Sequence, residues 1–228
     1  MSVIQLTTLL KTGIHLGHEV NEWNPKMFPY IYMERDGIHI LDVVQISRLL
    51  STAEKFCYFS AKNKKKFLFV GTTQQTSLIV AQEAINCDSY YINKRWLGGM
   101  LTNWETLKTR IERLKDLEQQ DKDEILKSLP KKEEANIRKE LKRLVNYLSG
   151  IKSIPNVPDI MIVIDQCQEL TAINEARILK IPVISILGTN CDPNLVDIPI
   201  PANVDSIVAI NLILQTLGKS IRRGKKEM

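Results

Sequence analysis

The hydrophobic positions of this chain form short continuous runs separated by polar segments. Three such runs, each bounded by Gly, Asp or Lys, lie at residues 66–71, 159–165 and 181–188. Continuous apolar runs of this length are typical of strands that are buried on both faces of a parallel sheet. The first two runs are each followed by apolar residues at helical spacing, at Leu78–Ile85 and Leu170–Leu179. This alternation predicts an α/β domain in which helices cover both faces of a parallel sheet, a three-layer architecture.

The chain before residue 66 has a different pattern. Gly13–His18 is punctuated by glycines and predicts a loop, whereas Tyr30–Met33 and Ile38–Ile40 have strand composition and are separated by Asp36-Gly37. Asp-Gly between two such runs predicts a β-hairpin. Asp42 then predicts the N-terminal cap of a helix. One face of that helix is apolar, with Val43, Ile46, Leu49, Leu50, Ala53 and Phe56.

Residues 105–148 interrupt the α/β alternation. Positions 105–143 hold 12 Lys or Arg and 10 Asp or Glu among 39 residues, so more than half are charged. A thin apolar seam runs through this charge in two parts, Leu107, Ile111, Leu114 and Leu117, then Ile137, Leu141, Leu144 and Leu148. A narrow stripe of this kind fits two antiparallel helices that pack mainly on each other, joined by a polar turn at Asp121–Pro130. We therefore divide the chain into a discontinuous α/β domain, 1–104 with 149–228, and an inserted helical hairpin, 105–148. A solvated linker is the alternative for the insertion.

Composition adds few constraints. The 228 residues carry a formal net charge of +5, which permits a polyanionic partner without requiring one, and no apolar run is long enough to span a membrane. Because Cys57, Cys87, Cys167 and Cys191 form no Cys-x-x-Cys pair, neither a disulfide framework nor a zinc framework is expected, and a reducing compartment is the default. The N-terminus matches neither a secretory signal nor a transit peptide, so we expect the protein to work where it is made.

Catalytic motifs are weak. The loops after Gly71 and Gly188 follow strands, as in enzymes and nucleotide-binding modules, but they lack the glycine spacing of dinucleotide sites and of P-loops. Cys191 would need a histidine base, and His15-x-x-His18 has no carboxylate or thiol at a spacing that completes a metal site. We therefore expect no catalytic residue, no metal and no cofactor. A small-molecule or nucleotide-binding enzyme that uses these two loops remains the alternative function.

Basic and aromatic residues in three places indicate RNA binding. Cations suit phosphates, and flat rings or amides suit exposed bases. The predicted RNA-binding residues are Trp23, Asn24 and Lys26, then Lys94, Arg95 and Trp96, and finally Lys219, Arg222, Arg223, Lys225 and Lys226. The last five follow or end a helix predicted from about Asp205 to Ile221, which we expect to break at residues 222–226. The alternative is that both indoles are packed in the core and the lysines are only solvated.

The same segments carry a family resemblance. Residues 23–27 (Trp-Asn-Pro-Lys-Met), 95–104 (Arg-Trp-Leu-Gly-Gly-Met-Leu-Thr-Asn-Trp), 189–193 (Thr-Asn-Cys-Asp-Pro) and 197–201 (Asp-Ile-Pro-Ile-Pro) resemble, in that order, signatures of the bacterial-type S-two protein family of the small ribosomal subunit. The resemblance covers essentially the whole chain. It departs from the family pattern at Glu22, Thr73-Gln74 and Gly188, and we leave the first three of these out of the predicted RNA site.

The resemblance implies a flavodoxin-like body, a protruding coiled-coil hairpin and a structural role without catalysis. The implied partners are small-subunit ribosomal RNA, neighbouring ribosomal proteins and, as in bacterial relatives, the large first protein of that subunit, with no membrane partner. Lys outnumbers Arg by 21 to 10, a usage common in AT-rich genomes such as those of plastids. We therefore expect the small subunit of a plastid ribosome, with the bacterial cytoplasm as the alternative.

Overall fold

The computed structural model describes residues 6–123 and 130–227. The chain starts with a short helix, α1 (Leu6–Lys11), and a small antiparallel sheet built from β1 (Leu16–Glu19), β2 (Ile31–Arg35) and β3 (Ile38–Leu41), in the order β1-β3-β2. The predicted hairpin is confirmed, since β2 pairs with β3 across a turn in which Asp36 and Gly37 both have positive φ, 53° and 78°. This is the turn geometry that Asp-Gly favours.

The prediction of a loop over Gly13–His18 was wrong in its second half, because β1 begins at Leu16 and pairs with β3. Gly17 explains how this segment, which has few apolar residues, joins the sheet. A Cβ on Gly17 would lie 2.5 Å from Cγ2 of Thr189 and 3.0 Å from the carbonyl oxygen of His39, so only glycine fits between them. The strand is therefore fixed by a close backbone approach that hydrophobic periodicity does not register.

The main sheet has five parallel strands. They are β4 (Phe67–Val70), β5 (Tyr90–Ile92), β6 (Ile160–Ile164), β7 (Val183–Leu187) and β8 (Ile198–Pro201), in the order β5-β4-β6-β7-β8. The three predicted strands are the three central ones, β4, β6 and β7, and every one of their residues is buried. The strand order is the one found in flavodoxin-like folds. The topological switch point lies between β4 and β6, because β5 is added on one side of β4 and the later strands are added on the other.

Helices cover both faces of this sheet, as the sequence predicts. One face packs against α2 (Val43–Lys62), α3 (Ser77–Asn86) and α7 (Ile207–Lys226), and the other packs against α6 (Leu170–Ile178). Asp42 caps α2 by accepting hydrogen bonds from the backbone N–H groups of Val44 and Gln45. No helix in the described part of the chain has the length and apolar character needed to cross a membrane.

Two predicted details of these helices were wrong. Leu78 and Ile85 of α3 are 78% and 64% exposed, because the buried face of this short helix carries Val80, Glu83 and Ala84 instead. The last helix does not break at residue 222 but continues to Lys226. Its last turn is held against α2 at Gly224, where a Cβ would lie 2.4 Å from the carbonyl oxygen of Tyr58 and 2.8 Å from Cβ of Ala61. Cations are also favourable in the last turn of a helix.

The inserted segment forms two helices, α4 (Trp104–Lys122) and α5 (Lys131–Leu148). Of the predicted turn at Asp121–Pro130, positions 124–129 lie outside the described residues. The first half of the seam is buried as predicted, and of the second half Leu144 and Leu148 are buried while Ile137 and Leu141 are partly buried. These leucines are continuous with the apolar cluster on the α6 face of the sheet. Ion pairs between Arg113 and Glu140 (3.4 Å) and between Arg138 and Asp121 (3.3 Å) join the two helices.

Candidate nucleic-acid interface

The segment Trp23–Met27 lies on the loop that follows β7. The backbone N–H of Asn24 donates to the carbonyl oxygen of Thr189 at 2.8 Å, and the Asn24 side chain accepts from the backbone N–H of Lys26 at 3.0 Å. Met27 packs into a small buried cluster with Leu187 and Cys191. Two of the predicted signature segments, far apart in sequence, therefore form one structural unit at the carboxyl end of β7.

Lys26 is already engaged within this unit. Its Nζ lies 2.6 Å from Oδ2 of Asp192, and this hydrogen-bonded ion pair lowers the pKa of the Asp192 carboxyl. About half of the Lys26 side chain remains exposed. A phosphate would have to compete with Asp192 for the Lys26 ammonium group. Lys26 therefore mainly links the two loops and contributes less as a free cation.

Trp23 is half-buried against the ring of His39, with 5.1 Å between the ring centroids and an interplanar angle of 55°. Next to this pair, His18 makes an ordinary hydrogen-bonding contact, 3.2 Å from its Nδ1 to Oγ1 of Thr189. Trp23 and Asn24 are therefore consecutive half-buried residues of a segment that the main body holds in place.

The second predicted segment, Arg95–Trp104, is organised by one buried carboxylate, Glu175 of α6. This side chain, only 7% exposed, accepts hydrogen bonds from Nε1 of Trp96 (3.0 Å) and from the backbone N–H groups of Gly99 (2.8 Å), Leu101 (2.9 Å) and Thr102 (3.2 Å). The Thr102 hydroxyl adds a contact at 3.3 Å. Sequence reasoning missed Glu175, and the only available signal was an acidic residue on the apolar side of a predicted helix.

These contacts set the protonation of Glu175. Burial raises its pKa, but the hydrogen bonds from Trp96, Leu101, Gly99 and Thr102 together outweigh burial, and the pKa is lowered from its ordinary value of 4.5. Because the folded-state pKa lies below the unfolded one, the ionised carboxylate stabilises the fold above about pH 4.5, and that contribution is lost as the pH falls through the folded-state pKa.

We expect this pH dependence to be measurable as a difference between two proteins. Urea unfolding of the wild type and of Glu175→Gln, followed between pH 7 and pH 3.5, will give a stability difference that is constant at neutral pH and shrinks at the acidic end. The comparison cancels the other carboxyl groups, including Asp165 and Glu169, whose pKa values burial raises. A difference that stays constant down to pH 3.5 would show that Glu175 is not the ionised anchor of this loop.

Trp96 is therefore not positioned to stack on an RNA base. It is 8% exposed and its N–H is taken by Glu175, so the alternative of a packed indole is what the structure shows. Lys94 and Arg95, immediately before it, are exposed, and neither has an ion-pair partner within residues 6–123 and 130–227. Burial of Trp96 holds these two cations at the surface next to the carboxyl end of β5.

Two further cations lie beside the same loop. A groove with a volume of about 250 Å³ separates residues 97–100 from the bases of α4 and α5, and Arg110 and Arg143 line it together with Tyr147. Both arginines are exposed, and in the described part of the chain neither is paired with a carboxylate. The sequence signal was present, since Arg110 and Arg143 directly precede the seam residues Ile111 and Leu144. It was hidden among the many other charges of the insertion.

The C-terminal cations lie at the opposite end of the sheet. Because α7 runs back from the carboxyl end of β8, its last turns reach the amino ends of β4 and β5, where Lys225 contacts Asp88 (3.4 Å) and Arg222 contacts Glu83 (3.5 Å). Arg223 lies over the ring of Tyr58, 5.5 Å from the centroid, and pairs with Glu227. Lys219 and Lys226 are exposed. The structure thus separates the predicted RNA-binding residues into two surfaces.

The two loops that an enzyme would use, after Gly71 and Gly188, are occupied by side chains of the protein itself. The backbone N–H of Thr72, after Gly71, donates to a carboxyl oxygen of the buried Glu169 at 2.8 Å, so this side chain closes the crevice between β4 and β6 and takes the backbone donor that a phosphate would need. A Cβ on Gly188 would lie 2.4 Å from Cε1 of His18, so the side chain of His18 fills that turn.

This α/β domain presents cations around a braced loop at one end of its sheet and on the last turns of α7 at the other, and its own side chains occupy the ligand crevice. These features fit a nucleic-acid-associated structural protein better than an enzyme. Comparison with known proteins specifies the class further. The profile of the family "Ribosomal protein S2" matches residues 9–224, so the chain belongs to the ribosomal protein S2 family.

Its relatives cover the whole chain. It is 59% identical to small ribosomal subunit protein uS2c of Phaeodactylum tricornutum, over 99% of this chain and 100% of the relative. It is 54% identical to uS2c of Rhodomonas salina, over 98% of this chain and 92% of the relative, and 51% identical to uS2 of Trichormus variabilis, over 99% and 85%. The predicted family and its non-catalytic character are confirmed, and the alternative of an enzyme is not supported.

Proposed function

We propose that this chain is a structural constituent of the small ribosomal subunit and binds ribosomal RNA chiefly through cations at the carboxyl end of its sheet. Family membership supports the ribosomal role, and the uS2c relatives support a plastid small subunit as its location. The main support for this RNA-binding surface is a group of four exposed cations around the loop that Glu175 holds in place: Lys94, Arg95, Arg110 and Arg143.

The bracing matters because a preorganised loop binds a folded polyanion with less loss of conformational entropy. Glu175 fixes the backbone between Gly99 and Thr102, and Trp96 is buried at the start of the loop. The cations before and beside the loop would then contact phosphates, which position the protein on RNA without reading its sequence. Trp23 and Asn24 would add contacts to an unpaired base or to ribose, since aromatic and amide groups serve that purpose in RNA recognition.

The C-terminal cluster would form a second, weaker surface. Arg222, Arg223 and Lys225 are each paired with an acidic group, whereas Lys219 and Lys226 are exposed on the same helix. Phosphates would have to displace carboxylates from the first three, so their net contribution is small. The second surface would touch RNA about 15 Å or more from the first, since that is the length of a strand of five residues.

For the inserted segment we propose an antiparallel coiled-coil hairpin that extends from the α/β domain and contacts RNA or neighbouring small-subunit proteins. The thin seam of α4 and α5, with charges on the other sides, supports this proposal. The large first protein of the subunit, implied by the family resemblance, is a candidate neighbour. Its contact with this chain would involve the exposed charges of the hairpin rather than the seam.

A shortened hairpin tests this division of the chain. Because Leu107, Ile111, Leu144 and Leu148 complete the apolar cluster beneath the sheet, the variant keeps them and replaces residues 115–140 with a short Gly/Ser turn. We expect the shortened protein to unfold in one cooperative urea transition and to keep its affinity for RNA at the four-cation surface. Loss of cooperativity would show that the segment is part of the core.

The RNA surface itself is tested by the salt dependence of binding. Loss of one phosphate contact in Arg95→Ala should lower the slope of log K against log salt concentration by about 0.7 to 0.9, measured with small-subunit ribosomal RNA. Lys180→Ala is the matched control, because Lys180 is exposed and lies outside both surfaces. Equal slopes for Arg95→Ala and the wild type would remove Arg95 from the interface.

A further inference from the structure

Two cysteines that are far apart in the sequence meet at the carboxyl ends of β6 and β7. Cys167 and Cys191 are 24 positions apart, and their Sγ atoms lie 3.4 Å from each other. Both are free thiols, as are Cys57 and Cys87. Cys167 is exposed, whereas Cys191 is only 1% exposed. Spacing along the chain predicts no cysteine pair, but the parallel sheet brings together two positions that are far apart in the sequence.

The approach of the two thiols is imposed by neighbouring residues. Gln166, buried beside Cys167, makes two reciprocal hydrogen bonds of 2.7 Å with the backbone N–H and carbonyl of Asp192, the residue after Cys191. This pair clamps the two loops together whatever the state of the cysteines. Since a disulfide has an S–S length of about 2.05 Å, the remaining gap of about 1.4 Å is within reach of side-chain rotation and small loop adjustments.

The two thiols are chemically unequal. The contact between the two sulfurs, in which either thiol can donate, lowers the pKa of Cys167, while partial burial and the nearby carboxylate of Asp165 act in the opposite direction. The pKa of Cys191 is raised, first by its contact with Cys167 and second by burial. Cys167 therefore has the exposure and the thiolate character of an attacking group, and Cys191 has the protected position of a resolving one.

We propose that Cys167 and Cys191 form a thiol–disulfide exchange site, oxidised by a small disulfide such as glutathione disulfide. The Cys167 thiolate attacks one sulfur of the oxidant, so that a mixed disulfide forms and one glutathione thiolate leaves. Cys191 then loses its proton to solvent and attacks Sγ of Cys167, which releases the second glutathione thiolate. The released thiolates take up protons, so two protein thiols are oxidised to one disulfide and the oxidant is reduced to two thiols.

The disulfide would act on the RNA-facing part of the fold. Cys191 packs against Met27 and Leu187, and Asp192 holds Lys26, so a covalent bond at Cys191 ties the base of the Trp23–Met27 segment to the end of β6. Closing a loop of this length should raise the midpoint of thermal unfolding by about 5–10 °C. This effect is independent of whether the surface binds RNA.

The test incubates the full-length reduced protein in glutathione buffers of increasing oxidised fraction and maps its peptides by mass spectrometry. In the wild type we expect an intramolecular Cys167–Cys191 disulfide, together with the rise in unfolding temperature. In Cys191→Ser the exchange should stop at the first step, so that a glutathione adduct accumulates on Cys167. Cys167→Ser should form neither product, and Cys57→Ala should behave as the wild type.

Three results would overturn the proposal. One is accumulation of the Cys167 adduct in the wild type to the level seen in Cys191→Ser, which would show that Cys191 does not resolve it. Another is a wild type that remains fully reduced in buffers that oxidise a reference dithiol. The third is stoichiometric zinc on the purified protein whose removal by a chelator is needed before either thiol reacts, since Asp165 and the two sulfurs lie within 4.8 Å of one another and would then be metal ligands.

Discussion

Glu175→Ala should destabilise the protein by about 3–5 kcal/mol, the range for removing one partner from a buried, charged hydrogen-bond network. The carboxylate is the common acceptor for the indole N–H of Trp96 and for three backbone N–H groups, and alanine would leave these buried donors without it. For a chain of this size such a loss lowers the unfolding temperature by about 6–20 °C.

The measurement is urea unfolding followed by circular dichroism, with Glu175→Gln and Glu112→Ala beside it. Glutamine keeps one oxygen acceptor but turns an amide N–H₂ towards donors, so we expect an intermediate loss of about 2–3 kcal/mol. Glu112 is exposed on α4 and should cost less than about 0.5 kcal/mol. If Glu175→Ala behaves like Glu112→Ala, the loop is held by its own packing and the carboxylate is dispensable.

Removal of all four carboxyl-end cations should have the largest effect on RNA binding. For the combined alanine variant of Lys94, Arg95, Arg110 and Arg143 we expect a fall in affinity of 100-fold or more in moderate salt, and a salt slope lower by about 3. Circular dichroism should remain unchanged, because all four side chains are exposed.

Net charge alone could weaken RNA binding, so the control must lose the same charge elsewhere. Lys11, Arg48, Lys55 and Lys180 are exposed and scattered over other parts of the surface. Their combined alanine variant also loses four positive charges, and we expect it to bind within about threefold of the wild type. Equal losses in the two variants would mean that binding follows overall charge rather than a defined surface.

The sequence predicted the centre of the fold better than its edges. Strands β4, β6 and β7 are continuous apolar runs because both of their faces are buried, so composition alone revealed them. The edge strands did not show this signal, since β5 is three residues with two tyrosines and β8 alternates isoleucine with proline. Their pairing depends on the neighbouring strand, which local pattern does not describe.

The sequence indicated which types of residue form the candidate site, but it did not predict how these residues are arranged in space. The motifs lie on the loops that form the candidate site, but the environment of a key residue in each motif depends on a contact that is distant in sequence. Trp96 is buried because Glu175, 79 positions away, accepts its N–H, and Lys26 is engaged because Asp192 lies 166 positions away. The C-terminal cations form a separate surface because α7 returns to the amino ends of the strands. Neither these contacts nor the position of α7 can be predicted from the spacing of residues along the chain.

Cysteine pairing shows the same limit. Spacing rules detect metal frameworks whose ligands are local in sequence, whereas the ends of two neighbouring parallel strands bring Cys167 and Cys191 to 3.4 Å. The strand order had to be known first. Once β6 and β7 are neighbours, two cysteines three and four residues beyond their carboxyl ends are expected to be close.

The central claim is that this chain is seated on small-subunit ribosomal RNA by cations at one end of a rigid α/β domain. Sedimentation of cell lysate through a high-salt gradient tests it most directly, with the wild type and the four-cation variant detected separately. We predict that the wild type travels with small subunits and that the variant shifts towards the free-protein fractions. A wild type found only at the top of the gradient, or a variant that stays with the subunits as firmly as the wild type, would contradict the account.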